Sequence, residues 1–218
     1  MFTLAFDTTT NFCSIALFKD NTAQSVFSSE MTFGQSEVLI PQIEKILKEN
    51  KIGFNEIDLL CVCTGPGSFT GVRSSVSAAR AFGLASKKLS LCGINAFDIY
   101  AHQLEPHQYS DRIAVLVETK REDFYVAYYD AHLNKVDSPK TAFYEDIIRD
   151  LKGRSVTFIG DGVERFLSKP SGLHIHDACF QSHPSVETLA LVGLSKFNQK
   201  NMDFPKPLYL KAADVCVK

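Results

Sequence analysis

The stretch from Leu59 to Arg73, Leu-Leu-Cys-Val-Cys-Thr-Gly-Pro-Gly-Ser-Phe-Thr-Gly-Val-Arg, constrains this chain more than any other. It begins as an apolar run of strand length, breaks at Gly65-Pro66-Gly67, and continues into a long run free of Gly/Pro clusters. Such a pattern reads as strand, tight loop, helix. A helix start leaves its first backbone N–H groups unpaired at a partial positive charge, and glycine admits another backbone or an anion at close range. Ser68 and Thr70 are candidate N-caps. The loop lacks the Gly-Lys-Ser/Thr ending of a P-loop, and Gly65, Gly67 and Gly71 do not have the spacing of a Gly-x-Gly-x-x-Gly dinucleotide fingerprint. Two readings stand at this point: an anion-binding turn, and a tight junction that binds nothing.

The rest of the chain arranges itself around this unit. Residues 2–7 and 12–19 are β-favouring runs joined by Thr8-Thr9-Thr10-Asn11, which predicts a hairpin, and residues 22–31 fit a third strand. Ser36 is the expected N-cap of a helix over 37–50 with an apolar stripe of Leu39, Ile43, Ile46 and Leu47; Pro41 should bend or locally open it, and Gly53 should end it. A strand over 58–63, a helix over 70–86, a strand over 90–94 and a helix over 95–104, with Asn95 as its cap, complete the first half. The second half repeats the order, with strands at 113–117, 124–130 and 135–143, a helix at 144–151, and a strand at 155–159 ending in Gly160-Asp161-Gly162. A short helix at 163–167, a strand at 174–178 and a helix at 185–199 capped by Ser185 follow. Each half therefore runs β-β-β-α-β-α with a glycine turn after its fourth strand. The expectation is two similar α/β lobes, residues 1–104 and 105–218, with the last segment a candidate for packing back on the first lobe. A meander followed by α-β-α implies a mixed sheet whose later strands are parallel.

Composition narrows the function classes. Net charge is −2, from 23 basic and 25 acidic residues, so nothing global draws the chain to nucleic acid or to an anionic membrane. Lys87-Lys88, Lys120-Arg121 and Lys206 with Lys211 are small local clusters. The first apolar run meets Asp7 too early for a signal peptide and no stretch approaches a membrane span, which points to a cytoplasmic protein. The six cysteines show no zinc-ligand spacing and read as reduced, structural thiols. His174 and His176 alternate onto one strand face with His183 nearby, without the carboxylate or cysteine partner that a metal site needs. No Gly-x-Ser-x-Gly elbow is present to support a peptidase.

The helix over 70–86 has an unusual composition. Gly71, Ser74, Ser75, Ala78, Ala81, Phe82 and Ala85 follow helical spacing and are nearly all small, so a neighbouring helix can approach closely along them. Val72, Val76, Ala79 and Leu84 would supply the inward face. The small ridge then serves either the chain's own sheet or a partner.

The segment Gly65-Pro-Gly-Ser-Phe-Thr-Gly-Val-Arg73 resembles the signature of the TsaB (YeaZ) family. Phe6-Asp7-Thr8-Thr9, Gln35-Ser36-Glu37 with Leu39, Ile40 and Pro41, Gly160-Asp161-Gly162 and Pro207-Leu208-Tyr209-Leu210-Lys211 match the same family in the same order. Gln35 stands where the family usually has His, and Lys211 where it has Arg. The resemblance implies an actin-like ATPase (ribonuclease H-like) fold, as the paired lobes also do. It further implies a non-catalytic partner of TsaD in forming N6-threonylcarbamoyladenosine at position 37 of tRNAs that read codons starting with A. TsaD would be contacted through the helices at 36–50 and 70–86, by Glu37, Leu39, Ile40, Ile43, Gly71, Ser74, Ser75, Ala78 and Phe82. TsaE and, through the complex, tRNA are the further partners implied, with a homodimer when the chain is alone.

The catalytic TsaD subunits carry a His-x-x-x-His metal motif, and an ungapped reading from Gly93 puts Ala96 and Tyr100 in its place. No metal and no cofactor are expected, with weak ATP or ADP binding left open. The rival reading is an ATP-dependent phosphotransferase or ATPase. Nucleotide-hydrolysing members of the superfamily have an acidic residue at the end of the first strand, where Asp7 stands. Thr8, Thr9, Gly65, Gly67 and Ser68 would then contact nucleotide or phosphate, with Glu118, Asp123 and Asp161 as further carboxylates.

Overall fold

A computed structural model describes residues 1–211 of the protein. The described chain divides into two compact units, Met1–Gln103 with Ser182–Pro207, and Leu104–Gln181 with the residues from Leu208 onward. The first contains β1 (Phe2–Asp7), β2 (Phe12–Lys19), β3 (Thr22–Glu30), α1 (Gln35–Glu49), β4 (Ile57–Cys63), α2 (Phe69–Ala85), β5 (Ser90–Ile94) and α3 (Ala96–Ala101). The second contains β6 (Arg112–Glu118), β7 (Phe124–Tyr129), β8 (Lys140–Ala142), α4 (Tyr144–Leu151), β9 (Ser155–Gly160), α5 (Val163–Leu167) and β10 (His174–Phe180). The last helix, α6 (Val186–Asn198), follows β10 in the chain and belongs to the first unit.

Each unit holds one five-stranded mixed sheet, ordered β3-β2-β1-β4-β5 and β8-β7-β6-β9-β10. In both, the first three strands form an antiparallel meander and the last two run parallel to the first. The repeated element order thus becomes a repeated topology. Burial follows strand alternation in the first unit. Leu4, Phe6, Cys13, Ile15, Leu17, Leu60 and Val62 face α1 and α2, where they pack with Leu39, Ile43, Ile46 and Ala79. The opposite face carries Ala5, Asp7, Ser14, Ala16, Cys61, Cys63 and Cys92, and α6 covers it by packing across β1, β2, β4 and β5.

Several boundaries differ from the sequence expectation for local reasons. α1 is entered through Gly34 at φ 87° with no side-chain cap, so Ser36 lies inside the first turn instead of capping it. The left-handed turn at Gly34 already aligns its carbonyl with the Glu37 and Val38 amides. The helix runs unbroken through Pro41 to Glu49. The strand expected at 135–143 shrinks to Lys140–Ala142, with one bridge from Lys135 to Tyr129. Asp130, whose side chain and amide bond His132 and Asn134, turns the chain there instead. Ser68, Asn95 and Ser185 cap α2, α3 and α6 by accepting the Gly71, Asp98 and Thr188 amides.

The packing of α6 is set by one sulfur. A Cβ at Gly193 would collide with the Cys61 sulfur, so the helix sits close to β4 only because residue 193 has no side chain. In an open helix interior Gly→Ala gains about 1 kcal/mol, whereas overpacking a closed core costs about 1–3 kcal/mol. Gly193→Ala should therefore cost a net ~0–2 kcal/mol, read as a lowered urea midpoint. Combining it with Cys61→Ala should recover part of that loss in a double-mutant cycle; additive effects would show that the sulfur is not what sets the spacing.

Candidate functional site

The glycine loop meets the β1–β2 turn backbone against backbone. A Cβ on Gly67 would collide with the Thr9 carbonyl oxygen, and one on Gly71 with the Thr8 carbonyl oxygen. The space that glycine opens here is filled by the protein's own chain. Hydrogen bonds close the contact: the Ser68 amide donates to the Thr9 carbonyl at 2.6 Å, and the Thr8 hydroxyl donates to the Gly71 carbonyl at 2.8 Å. The Thr8 amide donates to the Ser75 hydroxyl at 3.0 Å. The Gly65 carbonyl accepts from the Ala96 amide at 2.8 Å, and the Gly65–Pro66 bond is cis.

Asp7 lies at the base of this clasp and is 3 % exposed. One carboxylate oxygen accepts the Thr9 amide at 2.7 Å. Burial pushes its pKa from 3.8 up to about 6, against the hydrogen bonds from Thr9, Cys63 and Thr8, which favour the anion. Of the residues read as phosphate contacts, Asp7, Thr8 and Thr9 are buried and bonded to one another and to α2. Gly65 and Gly67 line the clasp, and Ser68 caps the helix. The structure brings all six together, and the N–H groups of Thr8, Thr9 and Ser68 already have partners within the chain.

The carboxylates of the second unit are also committed. Arg165 donates to Glu118 at 2.5 Å and to the Asp123 carbonyl at 2.8 Å while stacking on Phe124. Asp123 pairs with Lys211 and accepts from Thr119 at 2.9 Å. Asp161 accepts the Glu118 amide at 2.9 Å, and burial raises its pKa to about 7. Arg165 went unnoticed in the sequence; its place one turn beyond Gly160-Asp-Gly162 was the available signal. A cavity of about 460 Å³ in this unit is lined by Phe124, Phe143, Tyr144, Arg165 and Lys169 together with Glu122 and Glu145, a mixed-charge wall that selects no ligand class.

Of the two helices read as a partner surface, α1 buries the expected apolar stripe, while α2 turns Ser75 inward and Leu84 outward. Leu39, Ile43 and Ser75 are fully or almost fully buried, Phe82 packs on Phe6 and Phe54, and Gly71 abuts Thr8. These five serve the chain's own core. Ser75 is drawn inward by its bonds to Thr8, which turns the small ridge by about one residue. Glu37 and Ile40 are exposed, Ser74 and Ala78 half-buried. The outward strip of α2 runs through Thr70, Arg73, Ser77, Ala81 and Leu84. Leu84, expected to point inward, is 88 % exposed, Phe33 84 %, and Phe69 42 % beneath the Arg73 guanidinium.

His174 and His176 lie exposed on β10 in the second unit, while His183, in the first, stacks on Phe12 at 3.9 Å and meets Ser28 at 3.3 Å. Among the described residues no group of three metal-ligating side chains occurs. Nor is any helix there long and apolar enough to cross a membrane.

The doubled sheet with helices between its parallel strands is the actin-like ATPase fold. It is shared with a ROK hexokinase from Thermus thermophilus at TM-score 0.53 and 11 % identity, over 91 % of this chain and all of that one. A structure described as an uncharacterized protein with similarity to peptidase YEAZ, from Pseudomonas aeruginosa, aligns at TM-score 0.81 and 20 % identity, over 96 % of this chain and 99 % of that one. In sequence, residues 34–149, more than half of the chain, match the family TsaD, tRNA N6-adenosine threonylcarbamoyltransferase. The tRNA threonylcarbamoyladenosine biosynthesis protein TsaB of Escherichia coli K12 is 25 % identical over 95 % of this chain and 94 % of its own length. That of Buchnera aphidicola subsp. Baizongia pistaciae is 31 % identical over 57 % of each. The chain belongs to the TsaB (YeaZ) family, within the TsaD-type domain family.

The raised Asp7 pKa has a consequence for stability. A carboxyl that ionises near pH 6 when folded and near 3.8 when unfolded favours the fold fully below pH 3.8, and the contribution is lost as pH rises through 6. The loss is roughly 3 kcal/mol. Asp7→Asn, which keeps an acceptor for the Thr9 amide, should remove that part of the pH dependence in urea unfolding between about pH 4 and pH 7. An unchanged slope would place the Asp7 carboxylate in a solvated setting.

Proposed function

We propose that the chain is the non-catalytic partner of a TsaD-type subunit in forming N6-threonylcarbamoyladenosine on tRNA, and that it docks through the outward face of α1 and α2. The names of its sequence relatives support the pathway. The observation that carries the non-catalytic part is the closed clasp, in which Asp7 is buried and the Thr8 and Thr9 amides are bonded within the chain. A nucleotide would have to compete with those bonds for the Thr8, Thr9 and Ser68 amides. Of the carboxylates that a phosphotransferase would need in the second unit, Glu118 and Asp123 pair with Arg165 and Lys211, and Asp161 accepts the Glu118 amide. No nucleophile elbow supports a peptidase, even though a structural relative is described by likeness to one.

Docking is supported by the exposed apolar side chains Phe33, Ile40 and Leu84, with Phe69 stacked under Arg73 beside them. Between them the small residues Ser77 and Ala81 let a partner helix approach. The same face serves a homodimer when the TsaD-type subunit is absent. TsaE and tRNA join through that subunit, with exposed Lys120 and Arg121 on the β6–β7 turn as the basic pair nearest a tRNA role. The activity is cytoplasmic, and neither metal nor cofactor is bound by this chain.

Size-exclusion chromatography with light scattering, on the chain mixed with the TsaD-type subunit of the same organism, should give a one-to-one complex. Ala81→Trp should abolish the complex and leave the melting curve unchanged. Ser75→Trp should instead unfold the chain, because it removes the acceptor of the Thr8 amide and overfills a closed core, at a cost of at least ~2 kcal/mol. Normal complex formation by folded Ala81→Trp would exclude this face.

A further inference from the structure

The sheet face beneath α6 carries two thiols that no docking role uses. Cys61 on β4 and Cys92 on β5 are register partners on adjacent parallel strands, and both are fully buried. Neighbouring strands lie about 4.8 Å apart, inside the ~4.4–6.8 Å span of Cα separations that a disulfide bridges. The two thiols perturb each other's ionisation, Cys61 upward and Cys92 downward, as groups facing one another across paired strands do. Gly193 closes in on the Cys61 sulfur from α6.

Cys92 is the more easily ionised of the two. The hydrogen bond from Cys61, the Lys196 ammonium and the Asp203 amide hold it below the usual thiol range, while burial and the facing sulfur push Cys61 well up. Besides α6, its cover is one extended segment. The Gly93 amide donates to the Asp203 carbonyl at 2.7 Å, and Arg80 donates twice to the Pro205 carbonyl at 2.9 and 2.7 Å. Lys196 pairs with exposed Asp203 at 3.4 Å, and Met202 and Phe204 are 37 % and 57 % exposed. Local opening of so short a segment is less costly than global unfolding.

We propose that Cys61 and Cys92 form a hydroperoxide-sensitive dithiol, closing to a disulfide across β4 and β5 beneath the Asp203–Pro205 segment. The Cys92 thiolate attacks the terminal peroxide oxygen; an S–O bond forms, the O–O bond breaks, and the leaving oxygen departs as water or alcohol after taking a proton. The Cys61 sulfur then displaces the sulfenic oxygen, forming S–S and breaking S–O, while the Cys61 proton leaves with that oxygen as water. Two thiols lose two electrons and one hydroperoxide gains them.

The test treats the folded protein with hydrogen peroxide, alkylates it under denaturing conditions, and maps the cysteines by mass spectrometry. The expected product is a Cys61–Cys92 cross-link, reversed by dithiothreitol, with Cys13 and Cys63 still alkylated. Arg80→Gln, which loosens the cover, should speed its formation several-fold. Cys61→Ala should leave Cys92 as a sulfenic or sulfinic acid. Full alkylation of Cys61 and Cys92 in wild type, under peroxide that oxidises half-exposed Cys179, would overturn the proposal. So would a cross-link that forms only after the protein has unfolded.

Discussion

The contact on which the first unit depends is the approach of one backbone to another, the Gly67 and Gly71 loop against Thr8 and Thr9. Without side chains at those two positions, α2 starts directly over the end of β1, and the Ser75 hydroxyl reaches the Thr8 amide. The orientation of α2 follows from that bond. With Ser75 inward, Val72, Val76 and Ala79 pack on the sheet, and Thr70, Ser77, Ala81 and Leu84 must face out. The loop therefore sets, at a distance, which strip of α2 is exposed. Asp7, the residue that an ATPase of this fold would direct at its nucleotide, lies under the clasp as a buried acceptor for the Thr9 amide.

Much of the fold was legible in sequence because it is written in periodicity and punctuation. The glycine break after β4, the caps Asn95 and Ser185, and the repeated β-β-β-α-β-α order all correspond to local physics that needs no tertiary knowledge. The misses occur where a tertiary contact overrides a local signal. Ser75 reads as part of a small exposed ridge until its partner on the β1–β2 turn is known, and Leu84 reads as core until that bond rotates the helix. Gly34 displaced Ser36 as the start of α1 because a left-handed residue satisfied the first amides without a side chain. The placement of α6 follows from Gly193 and Cys61, residues more than a hundred positions apart in the chain, and no window of sequence holds both.

The two faces of the first sheet thus carry different chemistry. One is aliphatic and aromatic and packs α1 and α2, whose outer strip is left exposed. The other holds the carboxyl of Asp7, the Ser14–Ser28 hydroxyl pair and three thiols under α6. Burying those polar groups is tolerated because they bond to one another and to backbone, which also gives the first unit its two titratable or oxidisable points.

The central claim, that the glycine clasp is a closed structural joint, is tested most directly by amide hydrogen exchange and chemical-shift mapping of Thr8, Thr9 and Ser68 with and without millimolar Mg-ATP. The account predicts slow exchange at all three amides, near the protection of the β1 core, and no shift on adding nucleotide. Fast exchange at Thr8 and Thr9, or shifts there that saturate with Mg-ATP and vanish in Asp7→Asn, would contradict it and make the junction a nucleotide site.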